Sequence, residues 1–238
     1  NGVTATNITY TGSDEQLGYL TGGEGLFSVT SGLVLSTDHA THLSDPGCND
    51  SQACIGCLGG GTDADLLNVA NSVPPLIGEN FTVSSVNDLC ILEFDFEAGG
   101  DSISFNYVFG SDEYLTYVNT TYNDIFAFFL SGPGISGPFA SPIGFPNGSI
   151  NIAEVPDSDP PLPVTISSVN NVTNVEYYIN NPGNLGICIN GYTETFTASA
   201  TVQCGETYHI KLAIADGSDS ALESFVVLEE GSFSSNAI

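Results

Sequence analysis

Apolar and polar positions alternate with a period of two through much of this chain. Leu92-Glu93-Phe94-Asp95-Phe96 and Ile103-Ser104-Phe105-Asn106-Tyr107 show it most clearly. Successive side chains of an extended strand point to opposite faces, so each segment predicts one buried and one wetted face. Residues 3–11, 33–36, 90–96, 102–109, 164–169, 195–202, 208–215 and 224–229 read as strands. The continuous apolar run 125–130 reads as another, too short to span a membrane. Helix signals are few. Ser13-Asp14-Glu15-Gln16 fits a capping box ahead of Leu17 and Leu20, and Thr62-Asp63-Ala64-Asp65 fits another ahead of Leu66, Leu67 and Val69. Many short strands, 27 Gly and 12 Pro predict an all-β, two-sheet β-sandwich, jelly-roll-like, with a few short helical turns. No linker or internal repeat divides the chain, so 1–238 is read as a single domain, with 132–163 as its longest loop region.

Charge changes the picture. Asp and Glu total 28 against one strong base, Lys211, for a formal net charge of −27. Salt bridges cannot relieve such self-repulsion; bound cations or screening salt must. Phosphate recognition needs Lys and Arg clusters, so nucleic acid is excluded as a partner and anionic membrane surfaces are disfavoured. An acidic surface also suits a saline habitat, a reading compatible with specific metal sites.

Six cysteines, Cys48, Cys54, Cys57, Cys90, Cys188 and Cys204, form an even set that suits an oxidising compartment. Disulfides are favoured over zinc or redox chemistry, because Cys54-Ile55-Gly56-Cys57 has no second close pair. Cys188 with Cys204 across a hairpin, and Cys90 pinning the loop 47–61, make a consistent framework of disulfide-pinned loops. With no Met anywhere, Asn1 reads as the start of a processed mature chain.

Four acidic loops offer the oxygen donors that Ca2+ requires. They are Gly61-Thr62-Asp63-Ala64-Asp65, Gly110-Ser111-Asp112-Glu113-Tyr114, Tyr122-Asn123-Asp124, and Ala215-Asp216-Gly217-Ser218-Asp219-Ser220. Asp63, Asp65, Asp112, Glu113, Asp124, Asp216 and Asp219 are therefore the candidate metal ligands, with Ca2+ as the cofactor. The loops lie at strand ends, where segments from different strands can converge at one end of a sandwich. Helix capping explains Asp63 and Asp65 equally well, and an Asx-stabilised turn is the bland account of Asp216 and Asp219. His39 and His42, near Asp38 and Asp45, have a spacing that suits a transition metal, but the surrounding sequence reads as a loop with solvated histidines. No nucleophile elbow or Ser–His–Asp constellation stands out, so no catalytic residue is assigned.

The same stretches resemble the choice-of-anchor L domain. They include 61–66, Tyr107-Val108-Phe109-Gly110-Ser111-Asp112-Glu113-Tyr114, 122–134 and His209-Ile210-Lys211-Leu212-Ala213-Ile214-Ala215-Asp216-Gly217. Ser31-Gly32-Leu33-Val34-Leu35-Ser36-Thr37 and Leu228-Glu229-Glu230-Gly231-Ser232-Phe233 extend the likeness over nearly the whole chain. That family is found in secreted or surface-attached bacterial proteins, often of the Bacteroidetes. The resemblance implies a β-rich extracellular protein and supplies no reaction. The expectation is a calcium-stabilised structural or adhesive cell-surface protein, self-assembling as a filament or sheath subunit or binding other surface proteins. A lectin-like carbohydrate-binding module, with Tyr114, Tyr117 and Tyr122 as exposed platforms for glycans, is one rival. An acidic-loop hydrolase is the other.

Overall fold

A computed structural model describes residues 3–44, 58, 60–183 and 185–236. Two antiparallel sheets face each other. The first has the order β1 (Ala5–Thr11), β4 (Val86–Glu97), β11 (Thr207–Gly217), β6 (Ile125–Ser131), β7 (Ile150–Asn151). The second runs β2 (Leu17–Thr21), β3 (Ser31–Ser36), β12 (Ser224–Glu229), β5 (Ser102–Ser111), β9 (Gly191–Thr193), β8 (Tyr178–Asn180). β10 (Phe196–Thr201) and β13 (Ser234–Asn236) also pair with β5. The fold is the expected all-β two-sheet sandwich.

The core follows from the alternation. Phe96, Ile103, Phe105, Tyr107, Phe109, Ile210, Leu212 and Ile214 all point between the sheets. Their rings interlock with those of β6: Tyr107 meets Phe128 edge-on at 4.9 Å, and Phe109 stacks on Phe126 at 5.0 Å. Burying each such ring contributes roughly 1.5–3 kcal/mol before conformational entropy is set against it. β6 is buried along its whole length because its other face is covered too. The helix α1 (Ala64–Ile77) lays Leu66, Val69 and Ala70 on Ile125, Ala127, Phe129, Ala213 and Ala215. That second cover explains why 125–130 is apolar without alternation.

Several sequence readings are corrected. Residues 164–169 are not a strand. The hydroxyls of Thr165 and Ser168 bond the nearby backbone, with Thr165 N donating to Ser168 Oγ at 2.8 Å, and this closes a buried turn. The capping box at Ser13 forms, with Gln16 Oε1 accepting from Ser13 N at 2.9 Å, but it opens a single 3-10 turn. Gln16 is drawn into the core, where its amide donates to Thr37 O at 3.1 Å and Asp88 O at 2.8 Å, and the chain continues as β2. Cys90 is buried and free, and Cys204 is exposed and free, so neither the Cys188–Cys204 bridge nor a Cys90 anchor for the loop forms. Cys188 is itself disulfide-bonded. Cys48, Cys54 and Cys57 lie outside the described residues.

Candidate metal centre

Antiparallel order brings the ends of β3, β5 and β11 and the starts of β4, β6 and β12 to one end of the sandwich. All of these but β3 deliver an acid to the cluster. Asp88 sits near the start of β4 and Glu113 just past β5. Asp124 immediately precedes β6, Asp216 is the second-last residue of β11 with Asp219 beyond it, and Glu223 immediately precedes β12. Gly217 makes the approach possible: a Cβ there would lie 2.6 Å from Asn123 O, so only glycine lets the 122–124 segment pass. Asp88 holds a left-handed φ of 49°, a conformation that Asp tolerates better than most residues.

These carboxyls are in the interior. Relative exposure is 0% for Asp124, 1% for Glu113, 3% for Asp216, 5% for Asp88 and 6% for Glu223. Protein donors reach some of their oxygens. Asp124 Oδ1 accepts from Gly217 N at 2.9 Å and its Oδ2 from Ser224 Oγ at 2.7 Å, while Glu223 Oε1 accepts from Ser36 Oγ at 2.6 Å. Thr37 bonds Asp216. Other polar atoms are unmatched: the oxygens Asp88 Oδ2, Asp216 Oδ1, Asp219 Oδ1 and Asn123 Oδ1, and the amide nitrogen Asn123 Nδ2, are buried without a hydrogen-bond partner among the described residues. Asp216 contacts the carboxyls of both Asp124 and Asp88, and Glu113 contacts that of Asp124.

Two carboxylates in contact need a proton or a cation between them. Burial, then the neighbouring charge of Asp124, pushes Glu113 and Asp216 far above the usual carboxylate range. Burial likewise raises Asp124, Asp88 and Asp219, and lifts Glu223 to about 8. No strong base can intervene, since Lys211 is committed to Asp63 on the outer face of the first sheet.

Of the acids singled out from sequence, Glu113, Asp124, Asp216 and Asp219 meet here. Asp112 stands beside them, its N–H donating to Glu223 O at 2.9 Å and its charge acting on Glu223. Asp63 and Asp65 lie elsewhere: Asp63 Oδ1 caps α1 by accepting from Asp65 N and Leu66 N at 3.0 and 2.9 Å, and Asp65 Oδ2 accepts from Ala140 N at 2.9 Å. Asn123 stood within one of the loops that sequence reasoning named, but Asp88 and Glu223 were missed. Their shared signal is a polar residue abutting a buried apolar run, as Glu223 abuts Ser224-Phe225-Val226-Val227. Tyr114 is not an exposed platform; it is buried, with its ring 4.9 Å from that of Tyr178. Tyr117 and Tyr122 pack edge-on against each other at 5.5 Å.

A family model described as "Choice-of-anchor L domain" matches residues 1–234. The chain belongs to the choice-of-anchor L domain family. Membership places it among surface or secreted proteins. The acids of the convergence lie within the matched span. No curated protein matches this choice-of-anchor L chain. Among solved structures, it is similar to a carbohydrate-binding module, CBM28, titled as specific for non-crystalline cellulose. The TM-score is 0.39 and the identity 8%, over 95% of this chain and 88% of that one. No helix among the described residues is long and apolar enough to cross a membrane.

Proposed function

We propose that this choice-of-anchor L domain is a non-catalytic structural or adhesive module of a cell-surface protein, stabilised by Ca2+. The ion is held by Glu113, Asp124, Asp216 and Asp219, joined by Asp88 and Glu223. One observation supports the reading: carboxyl groups from both sheets touch one another in the interior, with buried oxygens that no donor among the described residues reaches. Hard oxygen donors in that number suit Ca2+, which takes about six to eight of them, better than softer ions. An ion there would tie the two sheets together at that end.

Thermal unfolding of the full chain in Ca2+ and in chelator tests this. A native-only site raises the melting temperature by mass action, and extracellular sites act at about 10⁻⁴ to 10⁻³ M. Asp124→Asn and Asp216→Asn should abolish the Ca2+-dependent rise. Equal melting temperatures with and without the ion would sink the proposal. Self-association belongs to the same reading. β1 and β2 are edge strands, β1 is exposed along nearly its whole length, and such edges accept another strand. Sedimentation and electron microscopy in millimolar Ca2+ should then show oligomers, and monomers at every concentration would refute assembly.

A further inference from the structure

A second, chemically different cluster lies where β3 leaves its sheet. Ala40 N donates to Glu15 O at 2.9 Å, and His42 N donates to His39 O at 2.8 Å. This turn stacks the rings of His39 and His42 with centroids 4.8 Å apart and planes 22° from parallel. Both δ nitrogens face one carboxylate: His39 Nδ1 is 2.8 Å from Asp38 Oδ1, and His42 Nδ1 is 3.5 Å from Asp38 Oδ2. One ligand atom of each residue lies within 4.8 Å of the others. Asp45, the other acid noted near these histidines in the sequence, lies outside the described residues.

From this geometry we infer that Asp38, His39 and His42 form a site for a divalent transition cation of the Zn2+ class. Two imidazoles and a carboxylate are a set that Zn2+ accepts, with a further position left to water or a ligand. Zinc bonds of about 2.0–2.2 Å put tetrahedral ligand atoms roughly 3.4 Å apart, a spacing that lies between the 2.8 Å of His39 Nδ1 to Asp38 Oδ1 and the 4.8 Å that bounds the cluster, so side-chain rotation must open the first and close the widest. Glu15 supplies the supporting contact. Its Oε2 lies 3.1 Å from His39 Nε2, on the far side of that ring. A carboxylate accepting from Nε2–H fixes the tautomer and turns the Nδ1 lone pair inward, toward the metal position. The side chains of His39 and His42 are 25% and 28% exposed, so an ion can enter. Nitrogen ligands separate this site from the all-oxygen cluster, although Asp38 is near enough to act on Asp88 and Glu223. The inference stands whether or not the acidic convergence binds Ca2+.

Calorimetric titration of the full chain with Zn2+ in millimolar Ca2+ is the test. One equivalent should bind, and His39→Ala with His42→Ala should remove that event in a variant that still unfolds cooperatively. Glu15→Gln should weaken binding by about 10- to 100-fold, as loss of a supporting carboxylate does elsewhere. Zinc binding equally strong in the double variant, or no binding by the parent, overturns the site. NMR of the imidazole nitrogens in the unmodified chain reads it without any substitution. His39 and His42 should shift at Nδ1 on adding Zn2+ while His209 does not, and unmoved signals for the pair overturn it.

Discussion

Single residues in this protein divide by whether the chain itself supplies their counter-charge. Asp63 is satisfied twice over, by the first amides of α1 and by Lys211. Asp63→Ala should cost about 0.5–2 kcal/mol for the cap alone and lower the melting temperature equally in Ca2+ and in chelator. A loss confined to the Ca2+ condition would mean that Asp63 belongs with the ion ligands. His209 lies 2.8 Å from Asp95 and 3.3 Å from Glu93. Burial opposes its protonation, yet the bonds to Glu93 and Asp95 outweigh that and raise its pKa. The bond to His209 lowers Glu93; Asp95 is lowered despite burial, by Asn7 and His209. The raised His stabilises below its ordinary value near 6.5 and loses that contribution as pH rises. The lowered acids stabilise above their ordinary values near 4 and lose theirs as pH falls. His209→Gln should therefore destabilise most between about pH 4.5 and 6.5, and progressively less as pH rises beyond that window, by urea titration across pH.

Elements show where sequence reasoning reached and where it stopped. Strands were legible wherever burial of one face forced alternation, as in β4 and β5, or burial of both forced an unbroken apolar run, as in β6. The start of α1 was legible from its acidic capping box and from Leu66, Leu67 and Val69, and the buried stripe runs on through Ala70 and Val73. The turn at 164–169 was not, because β-branched and hydroxyl residues suit a strand and a side-chain-bonded turn equally. Four of the six acids of the convergence, Glu113, Asp124, Asp216 and Asp219, were visible as loop motifs. Asp88 and Glu223 were hidden because each stands outside those loop motifs, and only the sheet order brings it to the others. Gly217 links element to site. Gly217→Ala should push β11 away from Asn123 and weaken Ca2+ stabilisation while the fold persists. Calorimetric Ca2+ affinity equal to the parent's would show that the close approach is not needed.

At the scale of the whole molecule, a net charge of −27 makes repulsion a global term. Monovalent salt screens the exposed part of it, over a distance of about 8–10 Å at physiological strength. Added NaCl should therefore raise the melting temperature of the chelated protein more than that of the Ca2+-loaded one. Equal salt slopes in differential scanning calorimetry would show that the ion relieves none of the repulsion.

The scarcity of bases has one more outcome. A protease that cuts only after Lys or Arg finds a single target in these 238 residues. That peptide bond follows Lys211, mid-strand in β11, and β11 is hydrogen-bonded on both flanks, to β4 and to β6. A backbone held on both edges cannot enter a protease cleft until the sheet opens. The domain thus offers trypsin-like enzymes almost nothing to digest while folded, and two pieces at most once unfolded.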